Sequence, residues 1–325
     1  MKYHLFSRQA WLGLIAGVIL FSQTTAQIHT NPNAPITSAA DADLRMLLGK
    51  LNEQLKSGNR SSEAYAPLFA EFDTLLAKYP EKNDDTARIA LMKAVAHGQY
   101  LKDAVTEEKL LKEVVSKYSG TSPALTAEKL LFQRSPEGKA QAKAEREAHE
   151  AKRNALIGKP APELNFTWTS RPGFKKLSDL KGNVVVLDFW ATWCGPCISS
   201  FPQVREKVDH FKGFPVIVLG VTSLQGRVNN LEAKAIDTKD NPQKEYELMP
   251  PFMEKHDMTW DVAFSTEKVF NPDYFIRGIP YVAIIAPDGT VRHTGLHPGV
   301  KDHDISGKIT AILKEFNLPV PAAKG

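Results

Sequence analysis

The chain has 325 residues, of which 42% are hydrophobic and 24% are charged, the composition of an ordinary globular protein with room for two domains. A formal net charge of +4 argues against the dense basic surface of nucleic-acid-binding domains, so no nucleic-acid partner is predicted. The chain contains two cysteines, which excludes a fold held together by several disulfides.

Residues 1–26 have the pattern of an export signal. A basic start is followed by an apolar run from Trp11 to Phe21 and by small residues up to Ala26, after which we predict cleavage. The apolar run is shorter than the ~20 residues that a membrane-spanning helix needs. We therefore predict a periplasmic protein with a disordered leader over residues 27–40, and membrane contact only if the signal segment is retained.

Residues 41–134 are predicted to form an all-α domain, because apolar residues recur there at three- and four-residue spacing. Two segments end alike, at Tyr79 and at Tyr118, 39 residues apart. The spacing suits a helical hairpin repeat, but tetratricopeptide repeats have a period of about 34 residues, so we favour a small bundle. A partner-binding module and plain helical packing both stay open. Residues 135–156, rich in Glu, Lys and Ala, are predicted to be a charged helical linker.

Strand and helix signals alternate over residues 157–318. A β-branched and aromatic run over Val184–Trp190 predicts a strand buried on both faces, and Phe214–Val221 predicts a second strand parallel to it. Two runs on either side of Pro287-Asp288-Gly289 predict a hairpin. Residues 319–325 are predicted to be a disordered tail. The helices expected in this part cover residues 194–211, 228–235, 243–256 and 305–316.

The two cysteines lie in the motif Trp193-Cys194-Gly195-Pro196-Cys197, between the first predicted strand and a helix. Unpaired N–H groups and the dipole at a helix N-terminus stabilise an anion, so we expect a lowered pKa and a nucleophilic thiolate at Cys194. The spacing lets Cys197 resolve a mixed disulfide. A half zinc site and an inert disulfide are the alternatives, but zinc lacks two further ligands and so short a loop restrains the unfolded chain little. No metal and no other cofactor is predicted.

The segment from Val186 to Cys197, which reads VLDFWATWCGPC, resembles the active-site segment of the thioredoxin superfamily. Two further segments, Ile157–Pro162 and Leu177–Gly182, are similar to those of its exported TlpA/ResA-like branch. The resemblance covers residues 157–318. It implies an α/β fold, a thioredoxin-like mixed sheet with helices on both faces, preceded here by the all-α domain.

The resemblance implies catalytic roles for three residues: Cys194 as nucleophile, Cys197 as resolving thiol and Asp188 as the buried proton acceptor beneath them. Burial in an apolar strand should raise the pKa of Asp188 toward that of a general base, and a structurally paired carboxylate is the alternative. Thioredoxin has a lysine near this aspartate on the neighbouring strand, whereas residues 216–221 contain none.

Substrate-binding roles are implied for Trp193, Ile279 and Pro280, and redox-tuning roles for Gly195 and Pro196. Pro280 corresponds to the cis-proline that faces the cysteine pair, and an ordinary turn proline is the alternative. A cis bond would leave the backbone of Ile279 free to pair with an extended substrate.

The predicted function is that of a periplasmic thiol-disulfide oxidoreductase that reduces disulfides in exported partner proteins. The resemblance implies a membrane electron donor of the thiol-relay type, with cytochrome c maturation or thiol repair as tasks. Two alternatives come from other classes: a periplasmic scaffold or adaptor that acts through the helical residues 41–134, and a peroxiredoxin-like peroxidase.

Overall fold

The computed structural model describes residues 36–322, and the chain divides into two compact units, Met1–Ala144 and Glu145–Gly325. The predicted signal peptide lies outside the described residues, as do most of the predicted leader and the last three residues. Within the described range, no helix is both long enough and apolar enough to cross a membrane. The domain boundaries drawn from the sequence stay predictions.

The first unit is built of α-helices, and polar side chains mark where they begin. The side chain of the residue before each of the first five helices accepts a hydrogen bond from a backbone N–H in the first turn. These capping residues are Ser38, Ser61, Asn83, Asp103 and Thr121. Such caps satisfy N–H groups that have no partner within the helix. The helices are α1 (Ala39–Lys56), α2 (Ser62–Lys78), α3 (Asp84–Tyr100), α4 (Ala104–Lys117) and α5 (Ser122–Arg134).

Two apolar cores hold these helices together. Leu44, Leu51 and Phe72 belong to a core between α1, α2 and α3, and Leu111 and Ala127 belong to one between α3, α4 and α5. Helical spacing brings the apolar residues of each helix onto one face, and burial of that face supplies most of the stability of such a bundle.

The next helix, α6 (Pro136–Asn154), contributes its last turns to the second unit. The ring of His149 packs edge-on against Phe275, with ring centres 6.1 Å apart. The guanidinium of Arg153 lies so close to Gly295 that a Cβ there would be 2.5 Å from its Cζ. The segment predicted as a charged linker is therefore helical, and its end is part of the packing of the second unit.

The second unit is built on a six-stranded mixed sheet, and a separate two-stranded ribbon lies outside it. The strands of the sheet are β1 (Phe166–Thr169), β2 (Val184–Phe189), β3 (Val216–Thr222), β6 (Asp261–Ser265), β7 (Tyr281–Ile285) and β8 (Val291–Leu296), and the ribbon pairs β4 (Arg227–Val228) with β5 (Ile236–Asp237). The strand order in the sheet is β1-β6-β3-β2-β7-β8. Parallel pairing joins β2 to β3 and β3 to β6, while β1, β7 and β8 are antiparallel to their neighbours. The predicted parallel pair and the predicted hairpin are confirmed.

Side chains of β2 alternate between a core on each face of the sheet, which explains why the strand is apolar almost throughout. Val184 and Val186 belong to the first core; Val185 and Leu187 belong to the second, which is closed by residues 269–276 and by a short 3-10 helix. The predicted class, an α/β thioredoxin-like sheet preceded by helices, is confirmed. The first core is covered by α7 (Gly195–Ser199), α8 (Phe201–His210), α10 (Met249–Lys255) and α11 (Ile305–Glu315).

The helix predicted over residues 194–211 is broken at Ser200, between α7 and α8. Pro202 has no N–H to donate to the carbonyl of Ile198, and its ring would clash with that carbonyl in a continuous helix. The two short helices still carry the chain from β2 to β3 and leave these strands parallel.

The helix predicted over residues 228–235 is wrong. Val228 instead pairs with Ile236 across the β4–β5 ribbon, and Asn230 has a φ of 60°, a left-handed conformation that an α-helix does not accommodate. The helix predicted over residues 243–256 is present as two pieces, α9 (Pro242–Glu247) and α10, with a junction at Leu248.

Candidate active site

Cys194 and Cys197 form a disulfide where β2 gives way to α7, with their Cα atoms 5.3 Å apart. Cys194 is the residue that caps α7, and Cys197 lies in its first turn. Only 3% of Cys194 and 1% of Cys197 is exposed. The pair predicted from the sequence is therefore brought together, with little of either residue open to solvent.

Two backbone groups lie against the sulfur of Cys194. The backbone N–H of Cys197 donates a hydrogen bond to Cys194 Sγ over 3.2 Å, and the carbonyl oxygen of Ile279 lies 3.7 Å from the same atom. The peptide bond between Ile279 and Pro280 is cis, as expected. An N–H aimed at this sulfur would stabilise the thiolate that forms on reduction.

Asp188 lies near the end of β2, with 2% of its surface exposed. Burial raises its pKa from 3.8 to about 7, because a desolvated carboxylate is disfavoured relative to the neutral acid. Within the described part of the chain, its Oδ1 has no hydrogen-bond partner. Its neighbours across the sheet are Gly220 on β3 and Val282 on β7, so an uncharged glycine stands on the adjacent strand.

The indole of Trp193 is held at the rim of the site by two contacts. Its Nε1–H donates to Gln225 Oε1 over 2.9 Å, and its ring stacks on Phe270 with ring centres 6.1 Å apart. Gln225 is in turn fixed by Glu245, which accepts hydrogen bonds from the backbone N–H groups of Gln225 and Gly226. Sequence reasoning missed Gln225, Glu245 and Phe270, because they carry no motif: the first two lie in the long connection between β3 and β6, and Phe270 lies between β6 and β7.

The same connection also holds the loop before the cysteines. The backbone N–H of Asn229 donates to Thr192 Oγ1 over 3.1 Å, and Asn230 Nδ2 donates to the Thr192 carbonyl over 2.6 Å. These two hydrogen bonds hold Thr192 by its hydroxyl and by its backbone carbonyl, and they fix the turn between β2 and α7.

Gly195 and Pro196 form the exposed part of the first turn of α7. Proline is well accommodated there, because an N–H in the first turn would have no partner within the helix. Their predicted effect on the redox potential stays a prediction. Among residues 36–322, no group of three or more His, Cys, Asp or Glu side chains is arranged to hold a metal ion.

Residues 156–309 match the model of the Redoxin family. The thiol-disulfide oxidoreductase ResA of Bacillus subtilis (strain 168) is 29% identical over 137 residues, which are 41% of this chain and 64% of that protein. ResA of a Bacillus cereus strain is 30% identical over 143 residues, 43% of this chain and 69% of that protein. This chain therefore spans less than two thirds of the Bacillus subtilis protein.

Among solved structures, a protein of Chlorobium tepidum described as a thiol:disulfide interchange protein, DsbE, is 28% identical. The likeness covers 48% of this chain and 97% of that one, with a TM-score of 0.36.

Proposed function

Because this chain belongs to the redoxin family, we propose that it is a thiol-disulfide oxidoreductase that works through Cys194 and Cys197. One observation carries the proposal: the cysteine pair caps a helix beside the carbonyl of Ile279, with a backbone N–H directed at Cys194 Sγ. An N–H at that sulfur stabilises the thiolate that forms on reduction, a species that an inert structural disulfide never forms.

The reaction needs no cofactor. In the reduced protein, the Cys194 thiolate attacks one sulfur of a substrate disulfide, forms a mixed disulfide and expels the other substrate sulfur as a thiolate. The Cys197 thiol then loses its proton and attacks Cys194 Sγ, which releases the second substrate sulfur. The substrate gains two electrons, and the protein ends with the Cys194–Cys197 disulfide.

Asp188 is the proposed acceptor of the Cys197 proton. A carboxyl with a pKa of about 7 is partly ionised at neutral pH and can take up a proton and return it. The carboxyl lies on the same face of the sheet as Val186 and Trp190, which share a core with both cysteines. Burial is the cause of the raised pKa, so desolvation tunes this group.

We assign substrate binding to the rim formed by Trp193, Ile279 and Pro280. An extended substrate segment would pair with the backbone of Ile279 while its cysteine faces Cys194. The stacked rings of Trp193 and Phe270 offer an apolar wall beside the disulfide. Gly195 and Pro196 in the first turn of α7 are the proposed redox-tuning residues.

The proposed location is the periplasm, and the proposed substrates are disulfide-bearing exported proteins. The signal pattern of residues 1–26 supports export, and the Gly-Pro pair between the cysteines supports a reducing role by resemblance. Electrons would come from a membrane donor of the thiol-relay type. Cytochrome c maturation and thiol repair are the tasks proposed for such a reductase.

Reduction of a disulfide-bonded peptide by the purified protein, recycled with a dithiol, tests the proposal. We expect Cys194→Ser to reduce the rate to that of the dithiol alone, because the attacking sulfur is gone. Cys197→Ser should accumulate a mixed disulfide visible by mass spectrometry, because the resolving sulfur is gone. Equal rates for the wild-type protein and Cys194→Ser would refute the oxidoreductase.

Two further measurements separate the alternatives. Rapid consumption of hydrogen peroxide by the reduced protein, without peptide reduction, would favour the peroxidase. A cellular phenotype that survives Cys194→Ser but is lost when residues 41–134 are deleted would favour the scaffold.

A further inference from the structure

Three buried polar atoms around one glycine have no hydrogen-bond partner among the described residues: Asp188 Oδ1, Trp190 Nε1 and Trp260 Nε1. Trp190 is fully buried and Trp260 is 4% exposed. Buried polar atoms are nearly always paired with protein or with ordered water, because an unpaired one has lost its hydration without replacement. Packing alone does not explain two indoles here, since phenylalanine would fill the core without a stranded N–H.

The two indole N–H groups meet at Gly220, and Asp188 lies beside it on the next strand. A Cβ on Gly220 would lie 2.9 Å from Trp190 Nε1 and 3.0 Å from Trp260 Nε1. Gly220 is also the residue opposite Asp188 in the parallel β2–β3 pair. Neighbouring strands are about 4.8 Å apart, and residues in register on parallel strands direct their side chains to the same face. The carboxyl therefore stands roughly one strand spacing from the place at which both indole N–H groups are found.

We propose that Trp190 and Trp260 hold a water molecule over Gly220 that hydrogen-bonds the carboxyl of Asp188, which makes both tryptophans positioning residues for the proton transfer. The catalytic role of this water rests on the proposed function, whereas the existence of the water site does not.

The chemistry of the three groups fixes the direction of the hydrogen bonds. An indole N–H is a donor only, so a water bonded to both indoles uses its two lone pairs as acceptor. Only its O–H groups are left for Asp188, and toward the carboxyl this water donates. A donor favours the ionised form, so the water opposes the effect of burial and eases proton release from the site.

The residues beside Asp188 on the neighbouring strands are uncharged: Gly220 on β3 and Val282 on β7. The core on this face includes Phe201 on α8 and the two cysteines of α7, and a titratable group packed against that core is His256, whose ring centre lies 6.2 Å from that of Phe201. The cysteines do not titrate while they form the disulfide. Burial is the cause of the raised pKa of Asp188, so a titration of the oxidised protein reports on this carboxyl without a coupled group.

The experiment is a titration of the Asp188 carboxyl by carbon-13 NMR in the oxidised protein, compared with three variants. Trp260→Phe removes one N–H and keeps an aromatic ring. Gly220→Ala adds a Cβ 2.9 Å from Trp190 Nε1 and 3.0 Å from Trp260 Nε1, so both indoles would have to move away from the water. Trp168→Phe, on the edge strand β1, is the matched control, because it removes an indole N–H from a tryptophan stacked on Tyr246 at the edge of the sheet.

We expect the Asp188 midpoint to rise by about one pH unit in Trp260→Phe and in Gly220→Ala, and to stay unchanged in Trp168→Phe. In the wild-type protein, we also expect nuclear Overhauser contacts from the indole Nε1–H groups of Trp190 and Trp260 to a long-lived water. An unchanged midpoint in Trp260→Phe, an equal shift in Trp168→Phe or the lack of any water contact would each overturn the proposal. Failure of the peptide-reduction assay with these NMR results intact would count against the proposed function alone.

Discussion

Asp188 makes the stability of the second unit depend on pH. Its pKa is about 7 in the folded protein, against 3.8 for an unperturbed aspartic acid. Between ~4 and ~7 the unfolded chain has lost this proton while the folded protein keeps it, so the free energy of unfolding falls as the pH rises through this window. The loss is on the order of 4 kcal/mol when complete, and the contribution is constant above pH ~7.

Asp188→Asn should remove that dependence. The amide carries no charge, so the variant should be more stable than the wild-type protein, and the difference should grow from pH ~4 to ~7 and then level off. Urea denaturation of the two oxidised proteins over this pH range measures the difference in their free energies of unfolding. The contributions of all other titrating groups cancel in that difference, because both proteins contain them. A difference that does not change with pH would contradict the raised pKa.

At the same scale, the sequence points to the residues proposed to react and misses those that hold them. Cys194, Cys197 and Asp188 lie on one strand, turn and helix, so a local pattern contains them all. Strand pairing places Gly220 beside Asp188, and core packing places Trp260 against Gly220. No spacing pattern in the sequence predicts either contact.

Among the elements, the connection between β3 and β6 is organised by the buried carboxylate of Glu245. Only 2% of Glu245 is exposed, and it accepts hydrogen bonds from the N–H groups of Gln225 and Gly226 and from Thr238 Oγ1 over 2.7–3.0 Å. Through Gln225 this network reaches the indole of Trp193.

Glu245→Ala should lower the free energy of unfolding by about 3 kcal/mol, because it leaves unpaired the buried Thr238 hydroxyl and the partly buried N–H groups of Gln225 and Gly226. It should also slow peptide reduction, since Trp193 loses the support of Gln225. Glu247→Ala is the matched control: Glu247 is exposed on the same helix α9 and accepts a hydrogen bond from the side chain of Gln243. Equal losses of unfolding free energy in the two variants would show that the hydrogen bonds of Glu245 do not stabilise the connection.

An element can be predicted when its residues give a clear local pattern. β2 and β3 are apolar almost throughout, and the β7–β8 hairpin has the turn Pro287-Asp288-Gly289, so the sequence predicts them. β1 and β6 are short and mix polar with aromatic residues, and the sequence predicts neither. The apolar residues around Val228 fit a helix as well as a ribbon, and the left-handed Asn230 decides against the helix.

Over the whole molecule, each unit has buried cores of its own. The four tryptophans among the described residues lie between Trp168 and Trp260, in the second unit, so tryptophan fluorescence follows that unit while far-ultraviolet circular dichroism follows both. Leu44 in α1 and Ile309 in α11 are fully or almost fully buried leucine and isoleucine side chains and form a matched pair.

Ile309→Ala should shift the fluorescence transition in urea by about 3 kcal/mol of unfolding free energy, and Leu44→Ala should shift the dichroism transition by a similar amount. Each substitution leaves a cavity in a core of one unit and spares the other unit. Both are measured on the full chain with the wild-type protein as reference. If Leu44→Ala moved the fluorescence transition as far as Ile309→Ala does, separate unfolding of the two units would be excluded.

The two asparagines that bind Thr192 have an evolutionary consequence. They stand on the long crossover between β3 and β6, and they clamp the turn that precedes the cysteines. Descendants that trimmed this crossover would lose the clamp and would need a replacement elsewhere. Changes in the length of the β3–β6 crossover should therefore occur in the same lineages as changes in the turn before Cys194.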